Sequence, residues 1–191
     1  EQAWNDLPAL EQDIEAARQL VEEAGATGET ITLGLSSEIT NMATTASAYQ
    51  AAADAIGLNS ELKSVSAQNF INFFIDAKFR EDVDGFFTIN YGDYADPAAL
   101  LSTFVLPDGS QNYSGYENAE ITRLFEAART EADPDQRARY VADAQALVMQ
   151  DLPWIPNAIP NAELIMSSNL TGATASFAYM FAPWANELGG K

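Results

Sequence analysis

The sequence contains no cysteine and no histidine. Their absence excludes thiol catalysis, a Ser-His triad and the usual zinc ligand sets. Basic residues are scarce, 9 Lys and Arg against 28 Asp and Glu, for a formal net charge of -19. Phosphate contacts need clustered Lys and Arg, so this balance argues against nucleic acid and against anionic membrane surfaces. It favours solubility through self-repulsion and leaves room for attraction of cationic ligands. No apolar run is long enough to span a bilayer. No signal peptide opens the chain and residue 1 is Glu, so the sequence reads as a processed or excised piece.

What is present is globular. Hydrophobic residues make up 47% of 191 positions, enough for one domain with a core of its own. Leu10, Ile14, Ala17, Leu20, Val21 and Ala24 have helical spacing ending at Gly25. Residues 30–35 alternate, with Ile31, Leu33 and Leu35 on one face and Thr30, Thr32 and Gly34 on the other, which predicts a strand. Met42, Ala46, Tyr49, Ala53 and Ile56 predict a helix closing at Gly57, and a short strand follows near 61–65. Phe70, Phe73, Phe74 and Ala77 predict one further helix.

The stretch from Gly85 to Pro97 reads GFFTINYGDYADP. It predicts a buried strand from Gly85 to Tyr91, a loop at Gly92-Asp93, and a helix whose N-cap is Asp96 and whose first residue is Pro97. Ligands of open α/β sheets collect at the carboxyl ends of the strands, which places Asp93 at a candidate site. Further on, Ile121, Leu124, Phe125 and Ala128 mark one helix. Asp133-Pro134, with Gln136 in capping-box position, starts another that buries Tyr140, Val141, Ala144, Leu147 and Val148. Residues 152–166 read as extended, interrupted at Pro153, Pro156 and Pro160, with Trp154 in the core. Phe177 to Trp184 reads either as a last core strand or as a segment that packs on a part of the protein beyond this chain. Strands alternating with helices argue an α/β fold with a mixed sheet flanked by helices.

Residues 112–156 carry a resemblance: a Tyr-Ser-Gly-Tyr turn opening a helix, a second helix after Asp-Pro, and Leu-Pro-Trp-Ile-Pro at the end. With Gly92-Asp93 and Asp96-Pro97, this order resembles the C-terminal lobe of the bacterial extracytoplasmic solute-binding proteins of ABC importers, family 5, the dipeptide-, oligopeptide- and nickel-binding type. The resemblance implies one lobe of a two-lobed periplasmic-binding-protein-like fold. Residues 1–9 would be a lead-in, 10–175 the solute-binding lobe, and 176–191 a tail returning towards an N-terminal lobe outside this chain. It implies a non-catalytic receptor, outside the cytoplasm, in the periplasm or as a cell-surface lipoprotein. Its partners would be a peptide or other small ligand, the N-terminal lobe and a membrane permease, with no cofactor, no metal and no nucleic acid.

The ligand-binding candidates are Asp93, Gly92, Asn90 and Tyr91. In peptide-binding relatives an acidic residue at the position of Asp93 pairs with the ligand's α-amino group. Alternatively, Asp93 satisfies backbone N–H groups of its own loop. Gly92 permits close backbone approach. Asn90 stands where many relatives carry Trp, and it cannot stack as Trp does. Tyr91 either offers its ring to the ligand or points into the core. Two other readings remain: a free-standing interaction domain with the same fold, and an acid-assisted hydrolase using Asp93 with a second carboxylate. Asp82 and Asp84 have calcium-loop spacing without the Gly and closing Glu of such a loop.

Overall fold

The structure, a computed structural model, describes residues 11–90, 96–158, 165–173 and 184–190. The chain divides into two compact units, one holding the described residues up to Ile89 and the other those from Asn90 onward.

The first unit is a parallel sheet with helices on both faces. Helix α1 (Ile14–Glu23) is capped by Asp13, whose side chain accepts from the Ala16 N–H at 2.9 Å. It closes at Gly25 as expected, with Gly25 N–H on Glu22 O and Ala26 N–H on Val21 O. Strand β1 (Thr30–Ser36) is followed by α2 (Thr40–Ile56) and β2 (Asn59–Val65). Gly57 ends α2 at φ 92°, a left-handed position that an L side chain adopts only under strain. After β2 come three short helices, α3 (Ala67–Phe70), α4 (Asn72–Ile75) and α5 (Ala77–Arg80), and then β3 (Gly85–Phe86). The sheet order is β2-β1-β3, parallel throughout.

Strand alternation sorts the packing by face. Gly34 and Phe86 are register partners, and Phe86 stacks on Phe73 of α4 with ring centroids 5.2 Å apart. Phe87 points the other way and meets Tyr49 of α2 edge-on at 5.3 Å. Thus α2 covers one face and α3 to α5 the other. Leu35, Met42, Ala46, Phe70, Phe73 and Phe87 form the core between them.

Two expectations are corrected here. The single helix expected around Phe70 to Ala77 is three one-turn helices. Asp76 breaks it: its backbone is extended at φ −123°, and its side chain caps α5 by accepting from Lys78 N–H at 2.9 Å and Phe79 N–H at 3.4 Å. The carbonyl of Phe73, freed near that break, accepts from the Arg80 guanidinium at 3.1 Å. Among the described residues, the strand expected from Gly85 to Tyr91 pairs only at Gly85 and Phe86. Phe87 N–H still bonds Gly34 O at 2.9 Å, and beyond it the chain leaves the ladder while β1 runs on through Leu35 and Ser36 beside β2 alone.

The second unit is helical at its core. Helices α6 (Pro97–Val105), α7 (Ala119–Thr130) and α8 (Pro134–Asp151) bury Phe104, Val105, Ile121, Leu124, Phe125, Ala144 and Val148 against one another. Tyr140 and Leu147, expected inside, are only half-buried at the margin of this core. Trp154 packs on it, its ring 4.6 Å from that of Phe104. Asp133 caps α8 through the Asp135 and Gln136 N–H groups at 2.9 Å. The expected capping box is only half formed. The Gln136 side chain turns to Arg139 instead, and Glu131 takes the Asp133 N–H at 3.0 Å.

Leu152, at φ 46°, ends α8, and the described residues of 152–166 join no strand. Residues 159–164 of that expected extended segment, and 177–183 of the apolar segment with its two readings, lie outside the described residues. Trp184 opens a 3-10 turn (Trp184–Glu187) ahead of β5 (Gly189–Gly190), which pairs antiparallel with β4 (Leu170–Thr171). The two strand directions of the expected mixed sheet therefore fall in separate sheets, within an α/β architecture.

Candidate functional site

β1 is the central strand; the chain crosses from it to β2 on one side and then from β2 to β3 on the other. Ligands of open α/β sheets bind at the carboxyl ends of such strands, so this edge is the candidate site. That edge of the first unit carries Ser37 to Ile39 after β1, Ser66 after β2, and Phe87 to Ile89 after β3. Ser37 and Glu38 are exposed. Ser66 is engaged, capping α3 by accepting from Asn69 N–H at 3.3 Å. Ile89 is 51% exposed, so the chain leaves the core before Asn90.

Asn90 is exposed and outside regular structure. Tyr91, Gly92 and Asp93 lie outside the described residues. Asp96 is a helix cap: its carboxylate accepts from Ala98 N–H at 3.0 Å, and Arg137 donates to its second oxygen at 2.6 Å. Asp82 and Asp84 are likewise engaged. Asp82 pairs with Lys63 at 2.8 Å, which holds its carboxyl below the usual range. Asp84 accepts from Thr32 N–H at 2.7 Å and donates its own N–H to Thr32 O, pinning the start of β3 beside β1. Among the described residues, no group of three or more Asp or Glu is arranged to hold a metal ion.

One polar residue escaped the sequence reading. Ser36 is fully buried, and among the described residues its hydroxyl has no hydrogen-bond partner. By alternation it follows Thr32 and Gly34 on the face covered by Phe73. The signal was the small or polar run Thr32, Gly34, Ser36, which reads as an outward face until helices are known to cover both sides.

In the second unit the Tyr-Ser-Gly-Tyr turn is a structural device. Asn112 Oδ1 accepts from Tyr116 N–H at 2.9 Å, and its amide donates to Leu106 O at 3.0 Å and Tyr116 O at 2.7 Å. The Tyr116 hydroxyl donates to Asp151 at the end of α8, and Asn118 donates to the same oxygen at 3.0 Å. Desolvation first, then this bond, push Tyr116 up to about 12, while the two donors hold Asp151 low. A hollow of about 340 Å³ lies beside α7, lined by Pro107, Asn118, Thr122, Arg123 and neighbouring residues. Its strongest donors are already used, Asn118 by Asp151 and Arg123 by Glu120 at 2.6 Å.

The family model described as bacterial extracellular solute-binding proteins, family 5 middle, matches residues 1–112, a span that includes β3 and Asp93. The di/tripeptide-binding protein 4 of Pseudomonas aeruginosa is 29% identical over 155 residues, covering 78% of this chain and 28% of that protein. The fold is similar to that of OppA from Burkholderia pseudomallei, with a TM-score of 0.72 at 23% identity over 85% of this chain and 32% of the other. It is also similar to NikA from Staphylococcus aureus in complex with Ni(L-His)2, with a TM-score of 0.67 at 21% identity over 76% of this chain and 31% of the other. The chain thus spans less than a third of the length of each of these proteins. The matched span, more than half of the chain, shows that it belongs to the bacterial extracellular solute-binding proteins of family 5.

Proposed function

We propose that this chain supplies the C-terminal ligand-binding wall of an ABC-importer solute receptor whose ligand is a peptide. Residues 10–175 form the lobe, and 176–191 are the tail that returns towards an N-terminal lobe encoded outside this chain. Closure of the two lobes is a hinge motion around the ligand. The receptor works outside the cytoplasm, delivers its solute to a membrane permease, and performs no chemistry on it.

The observation that carries this reading is the family match across β3 and the Gly92-Asp93 segment that follows it. Asp93 is the ligand's ammonium partner in this proposal, with Gly92 giving backbone access and Asn90 and Tyr91 flanking. A carboxylate accepting charge-assisted bonds from an ammonium contributes about 1.5–3 kcal/mol per bond. Calorimetric titration of the full-length receptor with a peptide pool, then with Asp93→Ala, tests it. The expected loss is at least about tenfold in affinity. Unchanged affinity would remove Asp93 from the site. Sustained turnover of peptides or glycosides would replace the receptor reading with an enzymatic one.

A further inference from the structure

We propose that the outer edge of β2 is a self-docking surface, on which a second copy of this protein lays its own β2 antiparallel and joins the two sheets into one. β2 is an end strand: it pairs with β1 on one side and, among the described residues, with no strand on the other. The direction of its backbone groups follows from one bond. Asn59 N–H donates to Glu29 O at 2.8 Å, so Asn59, Glu61, Lys63 and Val65 turn their N–H and C=O groups towards β1. The same alternation on β1 leaves Thr32 and Gly34 facing β3, where their carbonyls accept from Asp84 and Phe87 N–H. Ser60, Leu62 and Ser64 therefore present their N–H and C=O groups outward.

That edge is self-complementary. Residues 60–64 read Ser-Glu-Leu-Lys-Ser, a palindrome in which a glutamate answers a lysine. Antiparallel pairing with Leu62 on the two-fold axis sets Leu62 against Leu62 and Ser60 against Ser64, so every outward N–H meets an outward C=O. It also sets Glu61 of each copy against Lys63 of the other, at the non-hydrogen-bonded positions where side chains come closest. Glu61 is exposed. Lys63 shares its face and is already held at the sheet, by Asp82 at 2.8 Å and over the Phe79 ring at 4.8 Å.

Charge also selects the register. Sliding the copies by two residues either way brings Glu61 against Glu61 or Lys63 against Lys63. Charged side chains on an edge strand ordinarily deter pairing; in this order they deter the neighbouring registers and favour this one. β2 contains no proline to block its edge.

Sedimentation equilibrium of the full-length receptor tests this, at about 150 mM salt, where exposed charges more than about 8 Å apart are largely screened. The expected result is a concentration-dependent equilibrium between monomer and dimer. Ser64→Pro removes an outward N–H and leaves the bonds to β1 in place, so it is expected to abolish the dimer while circular dichroism shows the fold retained. Glu61→Lys and Lys63→Glu each set like charges opposite and are expected to weaken dimerisation by about tenfold. An equimolar mixture of those two variants is expected to recover it, because each cross-strand pair is then opposite in charge. A receptor that stays monomeric at every concentration, a dimer that Ser64→Pro leaves unchanged, or a mixture no more dimeric than its components overturns the proposal.

Discussion

Replacing Gly34 by Ala pits two effects of opposite sign against each other. Gly in a strand interior is worth about 0.5–1 kcal/mol less than Ala, because its unfolded state is freer. On propensity alone, Gly34→Ala should stabilise. But an added Cβ would sit 2.5 Å from Phe73 Cζ, 2.7 Å from Cε1 and 3.2 Å from Cε2. The ring cannot retreat. Phe73 is fully buried, stacked on Phe86, and met edge-on by Phe79 at 5.0 Å and Phe70 at 5.7 Å. Overpacking a fixed site costs about 1–3 kcal/mol, so the clash outweighs the entropy gain. A net destabilisation of about 1–2 kcal/mol is expected from urea unfolding with an unchanged slope. Phe73→Leu removes the clashing ring atoms, so the double variant should be more stable than the sum of the singles by about 1 kcal/mol. A neutral or stabilising Gly34→Ala, or strict additivity, would refute the claim that this ring sets the distance between β1 and α4.

Asp96→Ala should destabilise by about 1–2 kcal/mol, because it removes both the α6 cap and the partly exposed Arg137 pair, whereas Asp96→Asn keeps the cap and loses only a fraction of that; urea midpoints distinguish the two. Tyr116, raised above its ordinary value of 10.0 to about 12, contributes stability that is complete below pH 10 and is lost as pH rises from there to about 12; Tyr116→Phe should abolish that alkaline limb in thermal melts. Asp151, lowered from 3.8 by its donors Tyr116 and Asn118, contributes stability present above 3.8 and lost as pH falls through its lower folded value, so Asp151→Asn should flatten the acid limb. With a net charge of -19, the melting temperature should rise between about 20 mM and about 500 mM sodium chloride, and a flat response would mean that self-repulsion is not a significant term.

Buried faces were legible in the sequence, and stopping points were less so. The spacing of Met42, Ala46 and Ala53, and of Ile121, Leu124, Phe125 and Ala128, marked residues that prove buried, because periodicity records which side of a helix meets the core. The same periodicity ran straight through Asp76, since the Phe residues on either side of the break still share one core. What breaks the helix is one carboxylate preferring two backbone N–H groups of the next turn. β3 is shorter than its apolar run: it leaves the ladder after Phe86 although β1 continues through Leu35 and Ser36 beside β2, so the apolar pattern marked burial and not pairing. Gln136 had capping-box spacing, but Arg139 one turn later competes for its oxygen. At the candidate site, β3 was legible, while Ser36 was missed because its burial depends on α3 to α5 folding over β1.

Mass spectrometry of the small molecules released from the full-length receptor, purified from its host without added ligand, bears most directly on the central claim. One peptide per receptor, absent from the Asp93→Ala protein, is the predicted result. A stoichiometric solute that is not a peptide, or an equal peptide yield from Asp93→Ala, would contradict it.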